Sequence, residues 1–132
     1  MIPIEPYLTE LSAIDPPIPL GTDLRCERWF NLDIVSLQNS EFIHTANPAE
    51  FMAGFLLWTR SFHQVPAGSL PNNEAILSKL AGGYNYQSAS WKKIRTMALH
   101  GWALCSDNRL YHPMVTDAIL EILHPTGKRG RK

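Results

Sequence analysis

Lys92, Lys93 and Arg95 sit almost side by side, with Ser88 and Ser90 just ahead of them. Arg109 follows, and Lys128, Arg129, Arg131 and Lys132 crowd the last residues. Cations in such numbers do one kind of chemistry well: they neutralise phosphates and release the counterions held there. Serine hydroxyls and the unpaired amides of a helix start add hydrogen-bond donors for the same oxygens. Residues 88–132 hold eight bases against three acids (Asp107, Asp117 and Glu121), a net of +5. The plainer alternative is a solvated helix face followed by a linker-like tail. A helix, a turn and a tail that all carry bases favour nucleic acid over that alternative.

Other chemistries find little support. The five histidines (His44, His63, His100, His112 and His124) are dispersed, with no His-Glu-x-x-His pattern and no adjacent pair suited to a metal. No glycine-rich phosphate loop, no nucleophile elbow and no acidic pair in a metal-binding context occurs, so the sequence predicts no enzyme, no catalytic residue, no metal and no cofactor. His63 and His112 read as partly buried structural histidines, and Asp107 as a turn former. Trp58, Trp91 and Trp102 have core spacing, which leaves Tyr84 and Tyr86 as the better candidates for stacking on bases. Cys26 and Cys105 cannot build a disulfide framework by themselves and read as reduced, with Cys105 buried.

The elements that must hold these residues can be followed along the chain. Residues 1–28 carry five of the ten prolines, which predicts an extended leader that packs along the domain or a partner. Trp29, Phe30, Leu32, Ile34, Val35 and Leu37 form an apolar entry, with a helical turn capped by Asp33. Asn47-Pro48-Ala49-Glu50 is a capping box with proline at the first helical position. Phe51, Phe55, Trp58 and Phe62 then share one face of a helix through about residue 63.

Asn72 or Asn73 caps a second helix with Ile76, Leu77 and Leu80 inward, ended by Gly82-Gly83. Ser88 or Ser90 caps a third, Trp91 to His100, with Trp91, Ile94 and Ala98 inward and Lys92, Lys93 and Arg95 on other faces. Two short apolar runs around Ser106-Asp107-Asn108-Arg109 predict a β-hairpin. A final helix, about Met114 to Leu123, ends before Pro125.

The whole chain has 132 residues and formally zero net charge, but the zero is a sum of unlike halves. Residues 1–50 hold eight acids and two bases, a net of −6, and residues 51–132 hold ten bases and four acids, a net of +6. Neutrality therefore does not exclude nucleic acid. No apolar run is long enough to cross a bilayer, and the first residues lack the pattern of a secretion signal. The cytoplasm is the expected compartment, and no membrane partner is expected.

Three helices, a hairpin and a closing helix give the order of a winged helix, a helix-turn-helix with a β-hairpin wing. The expected fold is α+β and mainly helical. The expected divisions are an extended acidic, Pro-rich leader over 1–28, the winged helix over 29–124 and a basic tail over 125–132. Trp58, the segment His63-Gln64-Val65-Pro66-Ala67-Gly68-Ser69-Leu70-Pro71, Leu80-Ala81-Gly82 and Trp91 carry a further pattern, as do the stretches from Leu99 to Trp102 and from Cys105 to Pro113. Together with Leu32-Asp33-Ile34-Val35, these residues resemble the YdaU-like family of prophage and bacterial domains of unknown function over about residues 29–124.

The resemblance implies a phage or prophage setting beside DNA replication rather than a mechanism. Asn108 stands where that pattern has glycine, yet asparagine holds the same turn. Family members commonly continue past this domain, so any function carried by a downstream region is expected to be missing from this chain. DNA, of either strandedness, is the expected partner. A protein-interaction adaptor or self-associating module is the alternative, in which the acidic leader docks on another subunit or folds back over the basic surface.

Overall fold

The computed structural model describes residues 14–125. Among the described residues are α1 (Ile34–Gln38), α2 (Glu41–Thr45), α3 (Pro48–Ser61), β1 (Ser69–Pro71), α4 (Glu74–Leu80), α5 (Ala89–Ala98), β2 (Ala103–Leu104), β3 (Arg109–Tyr111) and α6 (Pro113–Leu123). The architecture is α+β and mainly helical, with one small antiparallel sheet. No helix among the described residues is long and apolar enough to cross a membrane.

Local chemistry sets the helix starts. Asp33, Ser40, Asn47, Asn73 and Ser88 each accept a hydrogen bond from the backbone amide three residues on. A cap of this kind stabilises a helix by about 1 kcal/mol. At α3 the box is complete, because the Glu50 side chain also accepts from the Asn47 amide at 2.8 Å. At α6 an imidazole does the capping: His112 Nδ1 accepts from the Met114 amide at 3.0 Å, with Pro113 in the first turn.

Helix α3 is the centre of the packing, in contact with α4, α5, α6 and β1. It buries Ala53, Gly54, Leu57, Trp58 and Ser61, while Phe51 and Phe55 stay half-buried and stack on each other at 5.7 Å. The deeply buried face is thus rotated from the aromatic stripe, because several neighbours cover the helix. A Cβ on Gly54 would lie 2.6 Å from Phe42 Cζ, so glycine is what lets α2 approach α3 so closely.

The sheet has the order β1-β3-β2. Leu70 faces Leu110, and Leu110 faces Leu104, so three leucines form one buried row across the strands. The turn before β3 holds Asn108 at φ 61°, which asparagine tolerates. Strand β1 is an addition to the expected hairpin; Pro71 ends it, at the sheet edge where proline is allowed.

Trp58, Trp91 and Trp102 are buried, as their spacing indicates. Between Trp58 and Trp102 lies His112, edge-on to both rings at 5.3 and 5.5 Å. Gly101 has φ +89°, and a Cβ there would run into the His112 ring. Burial pushes the His112 imidazole down to about 4, opposed by a hydrogen bond with the His100 backbone.

In the apolar entry Leu37 alone of the six is fully buried; Trp29 is 73% exposed, and Ile34 and Val35 are exposed as well. Two expectations fail. Ile76 faces solvent on α4, where Leu77 and Ser78 are the buried residues. His63 is exposed, with Nε2 2.6 Å from the Glu27 carbonyl oxygen, whereas His112 is buried.

The described part of the leader packs along the domain. Ile18 and Leu24 are buried, the Thr22 carbonyl accepts from the Ala67 amide at 2.9 Å, and the Ile14 carbonyl accepts from the Ser106 amide at 2.7 Å.

Candidate nucleic-acid interface

Helix α5 positions the central basic residues. Ser88 caps it by accepting from the Trp91 amide at 3.2 Å, and its hydroxyl donates to the Asn85 carbonyl at 2.7 Å. The serine nearest the helix start is therefore engaged with its own backbone. The next turn puts Trp91, Ile94, Met97 and Ala98 inward, as apolar residues at three- and four-residue spacing require. Ser90, Lys92 and Lys93 are left exposed. No acid occupies the first turn of α5, so nothing there offsets the two ammonium groups.

Arg95 is placed differently. Its Nε donates to Glu74 Oε2 at 2.7 Å and its Nη2 to Glu74 Oε1 at 3.1 Å, a two-point pair with both side chains largely shielded from water. Trp91 Nε1 donates to the same Oε2 at 2.6 Å. Glu74, in the first turn of α4, thus fixes two residues of α5 at once and sets how the two helices sit together. Arg95 stands out in the sequence, whereas Glu74 does not, its signal being only an acid in a helix's first turn.

Arg109 is engaged in the sheet. Its Nε donates to Ser69 Oγ at 2.6 Å and its Nη2 to Gln64 Oε1 at 3.1 Å, across to the edge strand and the loop before it. Burial lowers its pKa, with the Tyr111 and Asp107 charges opposing. In the hairpin turn Asp107 does hold the backbone, accepting from the Arg109 amide at 3.2 Å. It also accepts from the Tyr111 hydroxyl at 2.6 Å; burial first, then that carboxylate, raises the Tyr111 pKa. The hairpin tip is therefore held by an acid and presents its arginine inward.

Cys105 is buried beside the tip and its thiol pKa is raised, first by burial and then by Asp107 and Asp15. Cys26 is exposed, and both thiols are free. Tyr84 is half-buried against Trp91 at 5.9 Å, whereas Tyr86 is 42% exposed. In the acidic leader, Asp23 is paired with Arg25 at 2.7 Å, which lowers its pKa to about 2.

Of the ten residues singled out in the sequence for DNA, Lys128, Arg129, Arg131 and Lys132 lie outside the described residues. The structure brings Ser90, Lys92 and Lys93 together on one exposed stretch of α5, and holds Arg95 and Arg109 in internal contacts. Among the described residues, no group of three His, Cys, Asp or Glu side chains is arranged to hold a metal ion. No family model, curated protein or solved structure matches the chain.

Proposed function

We propose that residues 29–124 are a non-enzymatic, cytoplasmic winged-helix module that binds DNA. In this reading α4 and α5 are the helix-turn-helix, the β2–β3 hairpin is the wing, and α5 enters a groove. The observation that carries it is the exposed Ser90-Lys92-Lys93 stretch on a helix whose opposite face and angle are fixed by Trp91, Arg95 and Glu74. The strand order β1-β3-β2, with β1 inserted between α3 and α4, supports the same reading. The resemblance to the YdaU-like family supplies the setting, a phage or prophage replication function or its control.

Lys92 and Lys93 contact phosphates, and the basic tail adds Lys128, Arg129, Arg131 and Lys132. Arg109 acts through the wing's shape rather than by touching DNA. The test is a binding titration of single- and double-stranded DNA across salt concentrations. Affinity should fall steeply as salt rises, with a slope set by the number of phosphates neutralised.

A protein-interaction module is the second reading. It is favoured by the exposed Trp29, Ile34 and Val35, because interfaces are rich in tryptophan and large apolar side chains. Absence of binding to either DNA form at low salt would leave this reading standing and remove the first.

A further inference from the structure

A cleft of about 590 Å³ opens between residues 31–36 and α6. Leu32, Ile34 and Met114 give it apolar walls, while Asp33, Asp117 and Glu121 give it negative charge; no Lys or Arg lines it. Asp117 and Glu121 stand one turn apart on α6. The next positions of that stripe are His124 and Pro125, where the described chain ends.

Two stretches of the sequence lie outside the described residues, and their charges are opposite. Residues 1–13 contain Glu5 and Glu10 and no Lys or Arg, whereas residues 126–132 contain Lys128, Arg129, Arg131 and Lys132 and no acid. Charge selects the second for an acidic cleft. The side chains also suit the walls, because the methylene stems of Lys and Arg cover apolar surface while their heads stay with charge or water. Reach is sufficient: Pro125 lies about 12 Å along α6 from Asp117, and the four residues from Pro125 to Arg129 span up to about 13 Å before the side chain is added.

We propose that this cleft is the docking site of the chain's own basic segment, residues 126–132, with Asp117, Glu121 and Asp33 facing its Lys and Arg heads. Docking does not depend on DNA binding. Its consequence does rest on the proposed function: bases held by the cleft are withheld from phosphates, so the cleft and DNA compete for the tail.

The test is limited trypsin digestion of the full chain, with cleavage after Lys128 and Arg129 followed by mass spectrometry. Wild-type protein at low salt should be cut roughly threefold more slowly there than the Asp117→Asn/Glu121→Gln variant. Wild-type protection should also vanish at about 0.5 M NaCl, an arm that needs no variant. Equal cleavage of wild type and variant at low salt would overturn the proposal. Protection that grows with protein concentration would overturn it too, by assigning the cleft to a second copy. If the variant loses protection while showing no DNA binding at any salt, docking stands and the DNA reading fails separately.

Discussion

The first turns of α5 and the tip of the β2–β3 hairpin both carry bases in the sequence, yet they are built to opposite purposes. On α5 the lysines point outward from a face anchored by Trp91 and Ile94. At the hairpin the arginine points inward to Ser69 and Gln64, and Asp107 holds the turn. The leader adds its own contact there, through the Ile14 carbonyl on the Ser106 amide. The contrast teaches that a basic residue is a phosphate contact only when its own fold leaves it unclaimed. Arg95 and Arg109 are claimed; Lys92 and Lys93 are exposed.

The largest expected effect tests the framework behind both regions. His112 caps α6 and fills the space between Trp58 and Trp102 as a neutral ring. Its pKa of about 4 in the folded chain lies below the ordinary 6.5, so the unfolded chain binds the extra proton first. Stability from this group is complete above pH 6.5 and is lost as the pH falls through 4, in all about 3 kcal/mol. Urea unfolding between pH 7.5 and 4 should show that decline, and His112→Asn should flatten it whatever its own cost.

Next in size is Arg109→Ala. Removing hydrogen bonds from a charged group to partly shielded partners should cost about 2 kcal/mol, read as a lower Tm, with DNA affinity nearly unchanged. Glu74→Gln should cost about 1 kcal/mol of stability and should also weaken DNA binding, because it loosens the angle between α4 and α5. Smallest in stability, within about 0.5 kcal/mol, should be Lys92→Glu/Lys93→Glu, since exposed residues away from special features change little.

Much of this was legible in the sequence where the cause was local. The capping box at Asn47-Pro48-Glu50, the caps at Asp33 and Ser88 and the tight turn at Asn108 each need only neighbouring residues. Strand β1 was hidden because Ser69-Leu70-Pro71 has no alternation of its own and exists through pairing with residues 109–111. Helix α2 was hidden for a similar reason, being a single turn held by Ser40 and by Phe42 against Gly54. Trp29, Ile34 and Val35 look like core from type alone, and only the packing shows them outside. The site was half legible: spacing put Lys92 and Lys93 outward, but nothing local announces that Arg95 meets Glu74 or that Arg109 reaches Ser69 and Gln64.

In the proposed DNA complex α5, not the hairpin arginine, carries the contact. This is tested most directly by titrating double-stranded DNA against wild type, Lys92→Glu/Lys93→Glu and Arg109→Ala in one low-salt buffer. The lysine variant should bind at least tenfold more weakly, with a shallower dependence on salt, while Arg109→Ala binds within about twofold of wild type. Wild-type affinity in the lysine variant, or an equal loss in Arg109→Ala while it remains folded, would rule out α5 as the contact.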